Sequence, residues 1–144
     1  MVNYWYIKIY RNRHPDFDEA KQYMLDTNTI GIGFGITEEY TQLTQDERRQ
    51  MWRDNRNLST ESEFQTRERF FNYFINEMQI GDIVFLVKGE RDIKYIATID
   101  GIYEFRENVV FSNSGTHHHR RSITNPHKFE VTAPKRMCQT IHKV

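Results

Sequence analysis

The chain has 144 residues, 38% of them hydrophobic and 14% aromatic, a size at which one core can bury roughly 70% of the surface an unfolded chain exposes. The formal net charge is zero, which excludes a uniformly basic nucleic-acid binder and leaves the distribution of charge as the informative quantity. No apolar run reaches the roughly 18 residues of a membrane span, and the N-terminus lacks the charged start and apolar stretch of a secretory signal, so a cytoplasmic protein without a membrane partner is expected.

In chain order, Asn3 to Tyr10 alternates Trp5, Ile7 and Ile9 with Tyr4, Tyr6, Lys8 and Tyr10. That is the period of a strand. Asp16 followed by Glu19 has the form of a capping box, and Phe17, Ala20, Tyr23 and Met24 then recur at helical spacing, predicting a helix from about Phe17 to Leu25. Thr29 to Phe34 reads as a strand whose glycines leave one face open to a close neighbour. Thr44 to Glu47 is a second capping box, opening a polar helix to about Asn55 with Met51 and Trp52 as its main apolar residues.

Ser59 to Ser62 offers several N-caps for a stronger helix, in which Phe64, Phe70, Phe71, Phe74, Ile75 and Met78 form an apolar stripe. Gly81-Asp82 ends it. Ile83 to Lys88 and Ile93 to Phe105 read as a hairpin turning at Gly89 to Asp92. A polar loop, Arg106 to His118, leads to short strands around Ser122 to Thr124, Lys128 to Thr132 and Gln139 to Lys143. About six strands with two to three flanking helices predict a single α+β domain over residues 1–144, with a small curved barrel as the expected sheet.

Charge is segregated. From Gly115 to Val144 six Lys or Arg face one acid, Glu130, whereas Thr37 to Glu63 carries seven acids against four arginines. A basic C-terminal third suits a local phosphate-contacting face or an ordinary solvated surface. The single cysteine, Cys138, excludes an internal disulfide, and His142 nearby gives no recognisable nucleophilic site. Three consecutive histidines, His117 to His119, cannot all turn toward one ion on an extended chain, so neither a metal nor a cofactor is expected.

Taken together, Tyr4 to Ile7, Gly31 to Gly35, Met78 to Phe85 and His119 to Ile123 supply flat rings, glycines that admit close backbone approach, and guanidinium groups suited to phosphate. The ordered series resembles the PUA-like superfamily, specifically EVE-type domains and the related N-terminal reader modules of modification-dependent restriction systems. The resemblance is carried by a first strand with Trp5, the glycine-aromatic-glycine strand Gly31 to Gly35, Met-x-x-Gly-Asp at Met78 to Asp82, His-Arg-Arg-x-Ile at His119 to Ile123, and Gln139-Thr140-Ile141. Phe34 stands where a Trp is usual, and His118 where a Pro often precedes the basic cluster.

The resemblance implies a PUA-like curved barrel and a non-catalytic reader that accepts a modified or flipped-out base of DNA or RNA, alone or with a separate effector chain. Trp5 and Phe34 are the first candidates for stacking surfaces, with Trp52 and Tyr6 behind them; if Trp5 shares the core face of Ile7 and Ile9, Tyr4 or Tyr6 takes its place. Gly33 and Gly35 are expected beside the base, and Arg67 matches a pocket-approaching position of the family's helix. His119, Arg120 and Arg121 are the expected phosphate contacts. Two other readings stand beside this one: a small nuclease or nucleotide-modifying enzyme using the histidines and acids of Arg106 to His119, and a protein-binding adaptor or inhibitor.

Overall fold

The computed structural model describes residues 1–10, 13–55, 60–113, 115–137 and 139–144; Cys138 and Ser59 lie outside them. The strands are β1 (Tyr4–Tyr10), β2 (Thr29–Ile32), β3 (Ile83–Lys88), β4 (Asp92–Phe105), β5 (His119–Ile123), β6 (His127–Thr132) and β7 (Ile141–Lys143). The helices are α1 (Phe17–Thr27), α2 (Gln45–Asn55) and α3 (Glu61–Asn72), with a 3-10 turn at Tyr40–Gln42 and a π-helical turn at Tyr73–Glu77. The fold is therefore α+β, with seven strands among the described residues where about six were expected.

The strands form one mixed sheet in the order β2-β5-β4-β3-β1-β7, with β6 on a further edge of β4. Only β1 and β3 run parallel among these pairs; the other pairings are antiparallel. Strand β4 is long enough to pair with β3 and β6 through its first half and with β5 through its second, after a register shift between Ile99 and Tyr103. Such a shift bends the strand and curls the sheet. Among the described residues hydrogen bonding does not return from β7 to β2, so the sheet is curved but not closed.

Local signals explain most of these elements. On β1, Trp5, Ile7 and Ile9 are buried, and the intervening side chains lie on the opposite face. Thr44 and Glu47 make the reciprocal bonds of a capping box, Glu47 N–H to Thr44 Oγ1 at 3.2 Å and Thr44 N–H to Glu47 Oε1 at 2.9 Å. Thr60 caps α3 by accepting from Glu63 N–H at 3.1 Å. The α3 stripe buries Phe64, Phe70 and Phe71, and Phe74 and Met78 continue it through the π turn.

The expected capping box at Asp16 and Glu19 does not form. Both carboxylates reach away from α1: Asp16 accepts from Asn113 N–H, Asn113 Nδ2 and Gly115 N–H at 2.8, 3.0 and 2.9 Å, and Glu19 accepts from Ser112 N–H at 3.1 Å. A fully buried carboxylate takes whichever donors satisfy it best, and here they belong to a loop about 97 positions away in sequence. Burial alone would raise its pKa, but these donors and the neighbouring His14 hold Asp16 below the usual carboxylate range.

Candidate ligand-binding cleft

Strand β2 ends at Ile32, two residues earlier than its apolar pattern suggests, because the chain then reverses through Gly33-Phe34-Gly35-Ile36. Ile36 N–H donates to Gly33 O at 3.2 Å, and Phe34 and Gly35 have φ of 55° and 77°. Two successive left-handed residues give the pattern of a type I′ turn, in which glycine is at home and phenylalanine is strained. The 115–117 segment closes over β2 from the other side. A Cβ on Gly33 would lie 1.8 Å from Thr116 O, so only glycine permits this approach.

Between these two segments lies a cleft of about 580 Å³, lined by Gly31 to Gly35, Thr37, Asn55, Arg67, Lys8 to Tyr10, His14, Asn113, Gly115 to His117 and Thr140. Ligand cavities commonly span about 300–1,000 Å³. Among the described residues that line it, two are fixed cations, Lys8 and Arg67, and none is a carboxylate. The Arg67 guanidinium lies 5.0 Å from the Phe34 ring centre and 5.6 Å from that of Phe70, within cation–π range.

The opposite wall is a stack of three rings. Tyr10 lies 3.9 Å from His14 and 4.3 Å from His117, nearly parallel to each. Two rings that close and parallel cannot share one face of the phenol, so Tyr10 is sandwiched between the imidazoles. His14 Nδ1 accepts from Asp16 N–H at 3.0 Å. Burial, reinforced by the Arg120 and His14 charges, pushes His117 down to about 3, so its imidazole is neutral at pH 7.

Of the residues expected at the site, the structure brings Gly33, Phe34, Gly35 and Arg67 into the cleft. The others are corrected. Trp5 is fully buried, and its Nε1–H donates to Asp82 Oδ2 at 3.0 Å; Asp82 also accepts from Asn3 and Gln79 N–H. The Trp and the Gly-Asp motif thus form one core junction rather than a stacking wall. Tyr6 lies on the other face of the sheet, against Phe85 and His142. Trp52 is 4% exposed and sits behind Arg67, 5.8 Å from its guanidinium.

His119, Arg120 and Arg121 are also core residues, between 0% and 3% exposed. Alternation sends them as the strand period predicts, but β5 is covered on both faces, by α1 on one and by α3 with the π turn on the other. Arg120 donates to Thr29 O and Oγ1 at 2.8–3.0 Å and lies over the Tyr23 ring of α1. Arg121 donates to Gly101 O, Phe74 O and Met78 O at 2.6–3.1 Å. The π turn explains this last set: Met78 N–H reaches back to Tyr73 O, which leaves the Phe74 carbonyl for the guanidinium. Burial lowers the pKa of both arginines, yet a guanidinium ringed by acceptors keeps its charge at neutral pH.

His119 serves the cleft indirectly. Its Nε2–H donates to Ile36 O at 2.7 Å, and Nδ1 then accepts from Tyr103 O–H at 2.7 Å. It pins the turn that presents Phe34. Burial, only partly opposed by the Ile36 bond, lowers its pKa to about 4, which keeps this tautomer neutral at pH 7. His118 turns a third way, to Arg106 O at 2.9 Å. Among the described residues no group of three His, Cys, Asp or Glu is arranged to hold a metal ion.

Sequence reasoning missed Lys8, Tyr10, His14, Thr116 and His117 as cleft residues. Their shared location depends on the Asp16 clamp, which no short-range spacing announces. What fold and site together define is an α+β domain with an open mixed sheet and a cationic, ring-walled cleft at the end of β2. The chain belongs to the family described as Domain of unknown function (DUF8426), whose model matches residues 5–134. No curated protein and no solved structure matches it. No helix among the described residues is long and apolar enough to cross a membrane.

Proposed function

We propose that this chain is a PUA-like, EVE-related binding domain that accepts a single nucleobase, modified or extruded from a DNA or RNA strand, in the cleft beside the Gly33–Ile36 turn, without chemical turnover. The observation that carries the reading is Phe34, a strained left-handed aromatic at the edge of a cleft of about 580 Å³. Backbone strain of this kind costs about 1–2 kcal/mol and persists where a surrounding structure holds a side chain for use. A flipped base loses a few kcal/mol of stacking, which contact with a ring offsets by ~1–3 kcal/mol. Lys8 and Arg67 supply positive charge for the attached phosphate. The curved sheet is compatible with the PUA-like barrel that the ordered motifs suggest.

The test is calorimetric titration with a panel of modified and plain nucleosides and short oligonucleotides. Saturable binding that is weakened by Arg67→Ala and lost in Phe34→Gly, which removes the ring at a backbone position that glycine adopts without strain, supports the reading. Absence of binding across the panel, or binding indifferent to both substitutions, overturns it.

A further inference from the structure

Resting on the nucleobase reading of the cleft, we infer that the groove at the β3–β4 turn holds phosphates of the strand whose base the cleft takes, so that the ligand is a polynucleotide passing over Lys8 rather than a free nucleoside. The groove is a second concavity, of about 470 Å³, and Lys8 borders both it and the cleft. Lys88, Arg91 and Arg136 stand with Lys8 around it, against two carboxylates, Glu90 and Asp92. The turn is tied to the strand that carries the cleft wall: Gly89 N–H donates to Tyr10 O at 3.0 Å, and Lys88 pairs with Tyr10 across β1 and β3. The ring sandwiched by His14 and His117 and a cation of the groove are therefore neighbours on adjacent strands.

Charge argues both the occupant and its direction. Arg136 is committed to Glu90, with its Nε–H donating to Oε2. That bond first, and then the charges of Lys8 and Arg91, hold the Glu90 carboxyl below its usual range. The groove thus already surrounds one oxyanion with cations, and with Arg136 set against Glu90 the remaining Lys8, Lys88 and Arg91 face a single acid, Asp92. The Arg136 and Glu90 side chains are 65% and 39% exposed, where water leaves an ion pair weak, so a phosphate oxygen can compete for the same guanidinium. The concavity between α1 and the 108–111 segment is the reverse: it carries Glu19 and Asp26, and no Lys or Arg among the described residues that line it. A strand leaving the cleft toward α1 meets like charge, whereas over Lys8 it meets an excess of cations. An acidic peptide would meet the same cations but carries no base for the Phe34 ring in the adjoining cleft.

The experiment is fluorescence anisotropy of a labelled, unmodified short oligothymidylate against the full chain, from low salt upward. Lys88→Gln with Arg91→Gln should weaken binding roughly tenfold and reduce the salt slope by about 1.4, the value for two single-strand phosphate contacts. Glu90→Gln should act in the opposite sense and tighten binding roughly threefold by releasing Arg136, a gain that misfolding cannot mimic. Thermal melting verifies that each variant folds. No binding of the strand, affinity and slope unchanged in the double variant, or a Glu90→Gln variant that binds no tighter overturns the inference. So does a polyglutamate peptide of equal length that displaces the strand as well as unlabelled oligothymidylate does, which marks a surface for acidic peptides. Nucleoside titration of the unsubstituted chain reads the cleft separately: if no nucleoside binds while strand affinity follows both variants, the cleft reading fails and the groove stands as a phosphate site. If nucleosides bind and strand affinity ignores the variants, the groove fails and the cleft stands.

Discussion

Gly31 on β2 and Arg120 on β5 are paired across the sheet, and a Cβ added to Gly31 would lie 2.0 Å from Nη1 of Arg120. The glycine is the space into which the arginine folds on its way to Thr29. Gly31→Ala should therefore cost about 2–3 kcal/mol in urea unfolding. In an Arg120→Ala background the same substitution should cost much less, giving a coupling of about 1–3 kcal/mol in the double-mutant cycle. Additive effects would show that the two residues do not share this space.

Arg121 is expected to behave as a structural cross-link. Its planar fork satisfies carbonyls of Gly101, Phe74 and Met78 at once, a geometry that an ammonium cannot reproduce. Arg121→Lys should lower stability by about 2–4 kcal/mol. A variant of unchanged melting temperature but weakened oligonucleotide binding would return this residue to a phosphate-contacting role.

At Phe34 the usual order of glycine and alanine should invert. Both substitutions remove the ring and its contacts with Phe70 and Phe71, but at φ 55° alanine retains the left-handed strain that glycine relieves. Phe34→Gly should be more stable than Phe34→Ala by about 1 kcal/mol. Both should lose nucleobase binding under the proposed function.

Acid should destabilise the fold before its carboxylates titrate. His117 and His119 are neutral when folded, with values near 3 and 4 against 6.5 for the free side chain, so the unfolded chain binds more protons in this window. Stability is full above about pH 6.5 and falls as pH drops from 6.5 toward 4, on the order of 2–3 kcal/mol for each histidine. Melting temperatures across this range check the slope. His119→Gln, whose amide can still donate toward Ile36, should flatten it.

Asp16 should control the cleft wall. Asp16→Asn replaces one acceptor oxygen with a donor facing N–H groups, at a cost of about 2–3 kcal/mol. Amide exchange at Asn113 and Gly115 should accelerate selectively, as read by NMR. Unaltered protection there would show that the clamp does not hold the loop.

What the sequence determined by itself is whatever rests on short-range periodicity and capping. Trp5, Ile7 and Ile9 on one face of β1, the reciprocal Thr44 and Glu47 cap, the aromatic stripe of α3 and the β3–β4 hairpin all follow from spacing, because the physics behind them acts over a few residues. The alternation of His119, Arg120 and Arg121 was equally legible. Which surroundings each side chain would meet was not. Their destination depended on β5 becoming an interior strand whose neighbours offer carbonyls from Thr29, Gly101 and the π turn. A guanidinium on a strand carries the same sequence signal whether it faces phosphate or protein backbone, and only tertiary packing decides which acceptors lie within its reach. The cleft was decided in the same way, by Asp16 holding Asn113 and Gly115 so that Tyr10, His14 and His117 face Phe34 and Arg67 across one space.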